Sequence, residues 1–153
     1  MKYLILVILS FFLVSCQPKE PSAQEIVDKA IEVSGGERYK QFDLEFDFRD
    51  KYYRVKRDNG LYRYERHFTD SLGNVKDIVT NDGFKRYIND TLVKVADSMA
   101  FKYTNSVNSV QYFILLPHGL NDPAVNKTYL GKSNVKGIDY HKVQITFQQE
   151  GGG

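Results

Sequence analysis

The chain has 153 residues, with 21 Lys and Arg against 19 Asp and Glu, so its net charge is only +2. This length suffices for one domain with its own hydrophobic core. The balanced charge gives no general field for binding nucleic acid, and we expect no nucleic-acid partner. Tyr and Phe account for all of the aromatic residues, 14% of the chain. Because both residue types favour strands, we expect a sheet-rich fold.

The first sixteen residues end in the only cysteine of the chain, Cys16. A positive start at Lys2 precedes an uncharged run over residues 3–14, which is too short for a bilayer span of about 20 residues and is typical of a secretory signal peptide. The following Leu-Val-Ser-Cys resembles the lipobox of bacterial lipoproteins, in which the cysteine is acylated and becomes the first residue of the mature chain. The resemblance implies a signal peptide of the signal peptidase II type over residues 1–15. The alternative is an incidental cysteine after an ordinary signal.

Lipid on Cys16 would attach the protein to a membrane, because two or more acyl chains anchor a protein stably. Residues 16–22 are polar, contain two prolines and read as a lipidated tether between the membrane and the domain. We therefore expect a lipid-anchored protein of the bacterial cell envelope, at the outer membrane, on either its periplasmic or its surface face.

The folded domain is predicted to cover residues 23–153 and to begin with a helix. Ser22 and Glu25 have the spacing of a capping box, and the apolar residues that follow, Ile26, Val27, Ala30 and Ile31, form one stripe. Gly35 and Gly36 are suited to end this helix.

A strand is predicted directly after this helix. Phe42, Leu44, Phe46 and Phe48 alternate with Asp43, Glu45 and Asp47, which indicates a half-buried strand. The three carboxylates could bind a cation, but no glycine-punctuated calcium loop surrounds them, so a solvated strand face is the preferred interpretation.

A β-hairpin is predicted around Asn59-Gly60, a two-residue turn signal. This turn pairs Val55 with Tyr64, Arg57 with Tyr62 and Tyr53 with Arg66. It places the aromatic residues on one face, with arginines near its rim, and most charges on the other. This sorting argues against a nucleic-acid surface, in which basic and aromatic side chains share a face.

Further short strands are expected between turns at Gly73-Asn74, residues 81–83 and Asn89-Asp90. Their face pattern is mixed, so it assigns no register, but together they predict an antiparallel meander. From about residue 98 to residue 116, Val107, Val110, Phe113 and Ile114 have helical spacing, and the helix should end before Pro117. Two final strands are predicted with a turn near Lys136-Gly137.

This order of elements accompanies a family resemblance. The stretches SVQYFILLPHGLNDPAVNKTYLGKSNVKGIDYHKVQITFQQEGGG and IVDKAIEVSGG resemble an uncharacterised family of Bacteroidetes lipoproteins, which is similar in fold to the LolA-like and LppX-like half-barrels of lipoprotein carriers. The resemblance implies an α+β fold in which a curved antiparallel sheet wraps around helices and encloses a cavity for acyl chains. Such half-barrels continue with further strands, so we expect a C-terminally incomplete member with an open sheet edge. The alternative is that the final glycines form a flexible tail.

No motif of catalysis or metal binding stands out. His67, His118 and His141 lack metal-ligand spacing, and we interpret them as surface or strand residues. The nucleophile elbow, the phosphate-binding loop and the dinucleotide fingerprint are missing. We predict no catalytic residue, no metal and no cofactor, although a triad assembled from distant residues stays open.

Three functions remain. The first is a carrier that binds an acyl chain, from a lipoprotein for example, or another apolar ligand on the aromatic face. The residues predicted to line its cavity are Phe46, Phe48, Tyr53, Val55, Tyr62 and Tyr64. The second is a structural or interaction domain of the envelope, and the third is an enzyme acting on envelope material. The sequence leaves the oligomeric state open.

Overall fold

A computed structural model describes residues 19–148, which form two helices and eight strands. The helices are α1 (Ala23–Ser34) and α2 (Asp97–Ile114), and short 3-10 turns cover Gly36–Lys40 and His118–Asn121. The strands are β1 (Gln41–Phe48), β2 (Lys51–Asp58), β3 (Leu61–Asp70), β4 (Gly73–Thr80), β5 (Gly83–Ile88), β6 (Thr91–Val93), β7 (Val125–Val135) and β8 (Ile138–Phe147). The predicted signal peptide and Cys16 lie outside the described residues.

Helix α1 begins and ends where the sequence predicts. The backbone N–H of Ser22 donates to Glu25 Oε2 at 2.7 Å and the N–H of Glu25 donates to Ser22 Oγ at 3.2 Å, which completes the capping box. The helix ends at Ser34, and the N–H of Gly35 donates to the carbonyl of Ile31. Gln24 joins this helix to the second 3-10 turn through a 2.8 Å hydrogen bond to Asn121.

Strands β1 to β6 form one antiparallel sheet in chain order, and this curved sheet does not close. The predicted hairpin register is confirmed, because Val55 pairs with Tyr64 and Arg57 pairs with Tyr62. The chain is therefore α+β with a curved, open antiparallel sheet, as expected, and a half-barrel is compatible with this arrangement.

The two faces of this sheet differ in chemistry. We define the inner face as the one that carries Val55, Tyr64 and their cross-strand neighbours and that packs against α2. On the opposite face Arg54 donates to both carboxylate oxygens of Asp43, at 2.7 and 2.8 Å, and lies 3.5 Å from Glu45. The hydrogen bonds from Arg54 hold the pKa of Asp43 below its usual value. The acidic stripe of β1 is thus a salt-bridged, solvated face, as preferred above.

Helix α2 supplies the other half of the hydrophobic core. Its Val107, together with Leu115 directly after it, packs against Val55, Tyr64 and Val79 of the inner face. This arrangement buries one side of the helix and leaves the flanking sides free to border cavities. Within residues 19–148, no helix combines the length and the apolar character needed to cross a membrane.

Strands β7 and β8 form a separate two-stranded sheet that turns at Lys136 and Gly137, as predicted. The hairpin packs beside α1, and the ring of Phe147 meets the ring of Tyr112 edge-on at 6.1 Å. Helix α1 thus packs mainly against β7 and the 3-10 turns, and α2 is the helix that covers the six-stranded sheet.

Candidate functional site

Two cavities flank the C-terminal half of α2 at the inner face of the sheet. Residues three or four apart lie on the same side of a helix. Asn108 and Tyr112 border one cavity, whereas Val110, Phe113 and Ile114 border the other. The two cavities therefore lie on opposite sides of α2, separated by its core-facing residues.

The first cavity, the apolar groove, has a volume of about 370 Å³. It lies between the end of β1 and the last turns of α2, and its lining residues are Phe46, Asp47, Phe48, Arg49, Ser109, Val110, Phe113 and Ile114. Phe113 is 68% exposed although it lies in a helix that packs on the sheet. The guanidinium of Arg49 lies 5.1 Å from the ring centre of Phe48, so the groove has a charged end.

The second cavity, the polar cavity, has a volume of about 240 Å³. It lies near the turn that joins β2 and β3, and its lining residues are Arg57, Tyr62, Tyr64, Asn108, Gln111, Tyr112, Leu115, His118 and Gly119. The rings of Tyr62 and Tyr64 stack at 4.7 Å and form an aromatic wall.

Arg57 carries the charge of the polar cavity. Its Nε and Nη2 groups donate to the hydroxyl of Tyr64 at 3.1 and 2.9 Å. Among residues 19–148, no carboxylate lies within ion-pairing distance of Arg57. A guanidinium has five N–H donors, so Arg57 keeps donors available for an acceptor in the cavity.

Gln111 and Tyr112 bring buried polar groups to the same cavity. Gln111 is 2% exposed, and within the described part of the chain neither atom of its amide has a hydrogen-bond partner. The hydroxyl of Tyr112 is also buried and without a partner there. An unsatisfied buried polar group lowers the stability of a fold by about 1–3 kcal/mol. A core with a purely structural role would therefore be more stable with apolar side chains at these positions.

His118 closes the polar cavity from the second 3-10 turn. Its ring stacks on Tyr39 with centres 4.7 Å apart and planes 13° apart. Burial, and then the charge of Arg57, lower the pKa of His118 below its usual 6.5. Both effects favour the neutral form of the imidazole.

A buried ionic network lies deeper on the inner face, on three neighbouring strands. Asp77 is fully buried and accepts hydrogen bonds from Arg66 on β3 and Arg86 on β5, the shortest at 2.6 Å. Arg66 also donates to Ser106 of α2 at 2.8 Å, and the guanidinium of Arg86 lies 3.6 Å from the ring centre of Tyr103. Burial disfavours the charge of Arg86, but its hydrogen bonds to Asp77 outweigh this and raise its pKa. The network thus attaches α2 to the sheet at Tyr103 and Ser106.

The chain belongs to the DUF6503 family. The model of this family of unknown function matches residues 2–153. No curated protein and no solved structure matches the chain significantly.

In this DUF6503 chain the six predicted lining residues separate into three groups. Phe46 and Phe48 line the apolar groove, and Tyr62 and Tyr64 line the polar cavity. Tyr53 and Val55 are buried and line neither of these cavities. The predicted aromatic face is therefore one continuous surface of the DUF6503 sheet that α2 divides into two.

Gln111, Tyr112 and His118 are not among the site residues predicted from the sequence. Gln111 lies four residues after Val107 and four before Leu115, which places a polar side chain in the buried stripe of α2. That spacing was the available signal. The interpretation of His118 as a surface or strand residue was wrong, since it lies half-buried in a 3-10 turn at the polar cavity. Within residues 19–148, His, Cys, Asp and Glu form no group of three that could hold a metal ion.

Proposed function

We propose that this protein is a lipid-anchored lipoprotein of the bacterial envelope that binds an acyl chain in the apolar groove. The observation that carries the proposal is the groove itself, in which Phe46, Phe48 and Phe113 expose aromatic surface toward one space of about 370 Å³. A contiguous exposed apolar surface on a small domain marks a binding site rather than a core. The volume lies in the range of about 300–1,000 Å³ that small-molecule sites occupy.

The chemistry of the groove suits an acyl chain. Val110, Phe113 and Ile114 offer apolar contacts along one side of α2 without a hydrogen-bonding demand in the middle of the groove. Asp47 and Arg49 lie at its border, where a polar head group would remain near water. A chain of methylene groups gains about 0.8 kcal/mol for each group that it buries.

The fold and the N-terminal motif support the same proposal. A curved, open antiparallel sheet with a helix on its inner face is the arrangement expected of LolA-like half-barrels, and we include a distant relation to them in the proposal. The lipid anchor rests on the Leu-Val-Ser-Cys motif ending at Cys16. An anchor at this position would hold the groove close to a source of acyl chains.

Two exposed phenylalanines of α2 provide a matched test of ligand binding. Phe113 is 68% exposed and lines the groove, whereas Phe101 is 67% exposed and lies outside both cavities. In the full chain carrying Cys16→Ala, palmitate is offered and the bound mass is measured by native mass spectrometry. Phe113→Ser should weaken binding about tenfold, since it removes most of one apolar side chain from the contact. Phe101→Ser should leave binding unchanged. Equal binding by both variants, or no binding by the parent chain, would sink the acyl-groove proposal.

The anchor has a separate test. The natural chain expressed in a bacterial host should sediment with membranes and carry added acyl mass on Cys16. Cys16→Ser should abolish the added mass and leave residues 1–15 uncleaved. A natural chain that stays unmodified would refute the anchor and leave the groove proposal standing.

A second candidate function is an envelope interaction domain, which the β7–β8 hairpin favours. Leu130, Val135, Ile138 and Tyr140 expose large apolar or aromatic side chains there. If palmitate does not bind, crosslinking in the envelope from position 138 or 140 becomes the deciding experiment, with position 101 as the control. The same crosslinked products from all three positions would contradict a specific interface on the hairpin.

A further inference from the structure

We propose that the polar cavity is a second binding site, which takes a small, planar carboxylate. This site lies on the other side of α2 from the apolar groove, and the proposal does not depend on acyl binding. Its basis is the convergence of Arg57, Gln111 and Tyr112 on one cavity whose walls are aromatic.

The charge of the cavity selects an anion. Arg57 is its cationic side chain, and within the described residues only the neutral hydroxyl of Tyr64 accepts hydrogen bonds from it. The neutral imidazole of His118 adds a hydrogen-bonding group without a second positive charge. The site therefore suits one negative charge rather than a dianion.

The carbonyl groups at the end of α2 would repel an anion if they were unpaired. Several of them accept backbone hydrogen bonds. The backbone carbonyl of Gln111 accepts from the N–H of Leu115 at 3.1 Å, that of Phe113 from Leu116 at 3.3 Å, and that of Leu115 from His118 at 2.9 Å. These hydrogen bonds reduce the negative electrostatic potential that the C-terminal end of α2 creates beside the cavity.

The geometry of the donors favours a planar group. A guanidinium presents its donors as a flat fork that matches a carboxylate with two parallel hydrogen bonds. The amide of Gln111 both donates and accepts, so a reorientation toward the cavity would pair it with a carboxylate oxygen or with a polar group beside it. A neutral amide offers this fork one acceptor oxygen and no ionic attraction.

The walls and the volume restrict the body of the ligand. Tyr62 and Tyr64 form one stacked wall, and His118 lies on its own partner Tyr39. A flat or short apolar body fits between such walls. At about 240 Å³, the cavity is smaller than the usual drug-sized site, which excludes an extended acyl chain or an oligosaccharide.

Benzoate and butyrate are suitable probes, with benzamide and inorganic phosphate as the neutral and the dianionic comparison. Each is titrated into the full chain carrying Cys16→Ala, and NMR follows the side-chain amide of Gln111 and the backbone amide of Gly119. At least one carboxylate should saturate near about 1 mM and shift both signals. Benzamide should bind at least about tenfold more weakly, since it offers no charged pair of acceptors. Phosphate should also bind more weakly, because the second negative charge of the dianion has no cationic partner in the cavity.

Variants assign the binding to the cavity. Arg57→Gln should weaken carboxylate binding about tenfold or more, because it removes a charge-assisted pair of hydrogen bonds. Lys56→Gln is the matched control, since it removes one positive charge from the adjacent residue on the opposite face and should leave binding unchanged. Arg57→Lys and Gln111→Leu provide further variants if Arg57→Gln does not fold, and both should weaken binding.

Several results would overturn the proposal. They are failure of both carboxylates to saturate, equal binding of benzamide or phosphate, and equal affinity of the Arg57 variants and the parent chain. NMR chemical-shift changes that are confined to residues of the apolar groove would also overturn the proposal. Palmitate binding that persists while carboxylate binding fails would leave the acyl groove intact, so the two proposals fail separately.

Discussion

The buried network around Asp77 offers the sharpest test of how the inner face is built. The change is Asp77→Asn, which keeps the shape of the side chain and removes its charge. Asp77 is 0% exposed and accepts two hydrogen bonds from Arg66, at 2.6 and 3.1 Å, and two from Arg86, at 2.6 and 2.9 Å. The variant leaves two buried guanidinium groups beside a neutral amide.

The expected loss follows from the burial of all three groups. Breaking a buried ion pair by removing one partner costs about 3–5 kcal/mol, because the remaining charge is desolvated without compensation. Asn keeps one acceptor oxygen, so the lower end of this range is expected. For a domain of this size each kcal/mol lowers the Tm by roughly 3–5 °C, which predicts a decrease of about 10–15 °C. Exposed salt bridges such as that between Lys76 and Asp90 contribute far less.

The assay is thermal and urea unfolding of the full chain carrying Cys16→Ala, followed by circular dichroism. Asp82→Asn, in the exposed turn between β4 and β5, is the matched control and should change stability by less than about 0.5 kcal/mol. A second comparison replaces Arg66, Asp77 and Arg86 together with Met, Leu and Met, which should be close to neutral or stabilising. A loss below about 1 kcal/mol for Asp77→Asn would refute a desolvated network, since it would mean that water or another anion reaches the arginines.

Three further predictions concern the polar cavity. Gln111→Leu should raise the free energy of unfolding by about 1–2 kcal/mol in urea, because it removes an unpaired buried amide; a decrease would show that the amide is satisfied. Burial and a neighbouring guanidinium hold the pKa of His118 below 6.5, so the unfolded chain binds the proton more tightly. The contribution of His118 to the free energy of unfolding should thus be complete above pH 6.5 and decrease as the pH falls toward the folded-state pKa. His118→Phe keeps the stack on Tyr39 and should flatten this part of the Tm curve; an unchanged slope would assign the effect to other groups. Gly119→Ala would place a methyl group 2.5 Å from the ring of Tyr112 and should cost about 1–3 kcal/mol in thermal unfolding; a neutral outcome would mean that the ring moves freely.

Local chemistry made several elements of this fold predictable. The capping box at Ser22 and the turn at Asn59-Gly60 act over a few residues, so their signals are complete within a short stretch of sequence. The hairpin turn also determines every cross-strand pair of β2 and β3, because pairing proceeds outward from the turn. The end of the helix before Pro117 and the turn at Lys136-Gly137 are predictable because their signals, too, lie within a few residues.

The meander from β3 to β5 shows where sequence reasoning loses information. Arg66, Asp77 and Arg86 lie on the inner face, where an apolar residue would be expected. Read one strand at a time, each charge interrupts the alternation and makes the face pattern appear mixed. The three charges compensate one another only across strands, and a single strand does not show which partner neutralises it.

Helix α2 shows a related ambiguity. Val107, Val110, Phe113 and Ile114 have helical spacing and predict the helix, yet the buried positions are Val107, Gln111 and Leu115. A stripe chosen by hydrophobicity alone would bury Phe113 and expose Gln111. In the folded chain this preference is reversed, and α2 is attached to the sheet by the contacts of Arg66 with Ser106 and of Arg86 with Tyr103.

The rotation of α2 explains why one aromatic face carries two cavities. With the helix held at Ser106 and Tyr103, Phe113 is left bordering the apolar groove and Gln111 is buried at the polar cavity. A variant that folds without the network tests this link directly, and the Met-Leu-Met replacement of Arg66, Asp77 and Arg86 is such a variant. If the ionic contacts set the rotation, this chain should keep its stability and lose affinity for both palmitate and benzoate. If packing at Val107 sets it, both ligands should bind as they do to the parent chain, and the buried charges would have no part in forming the two sites.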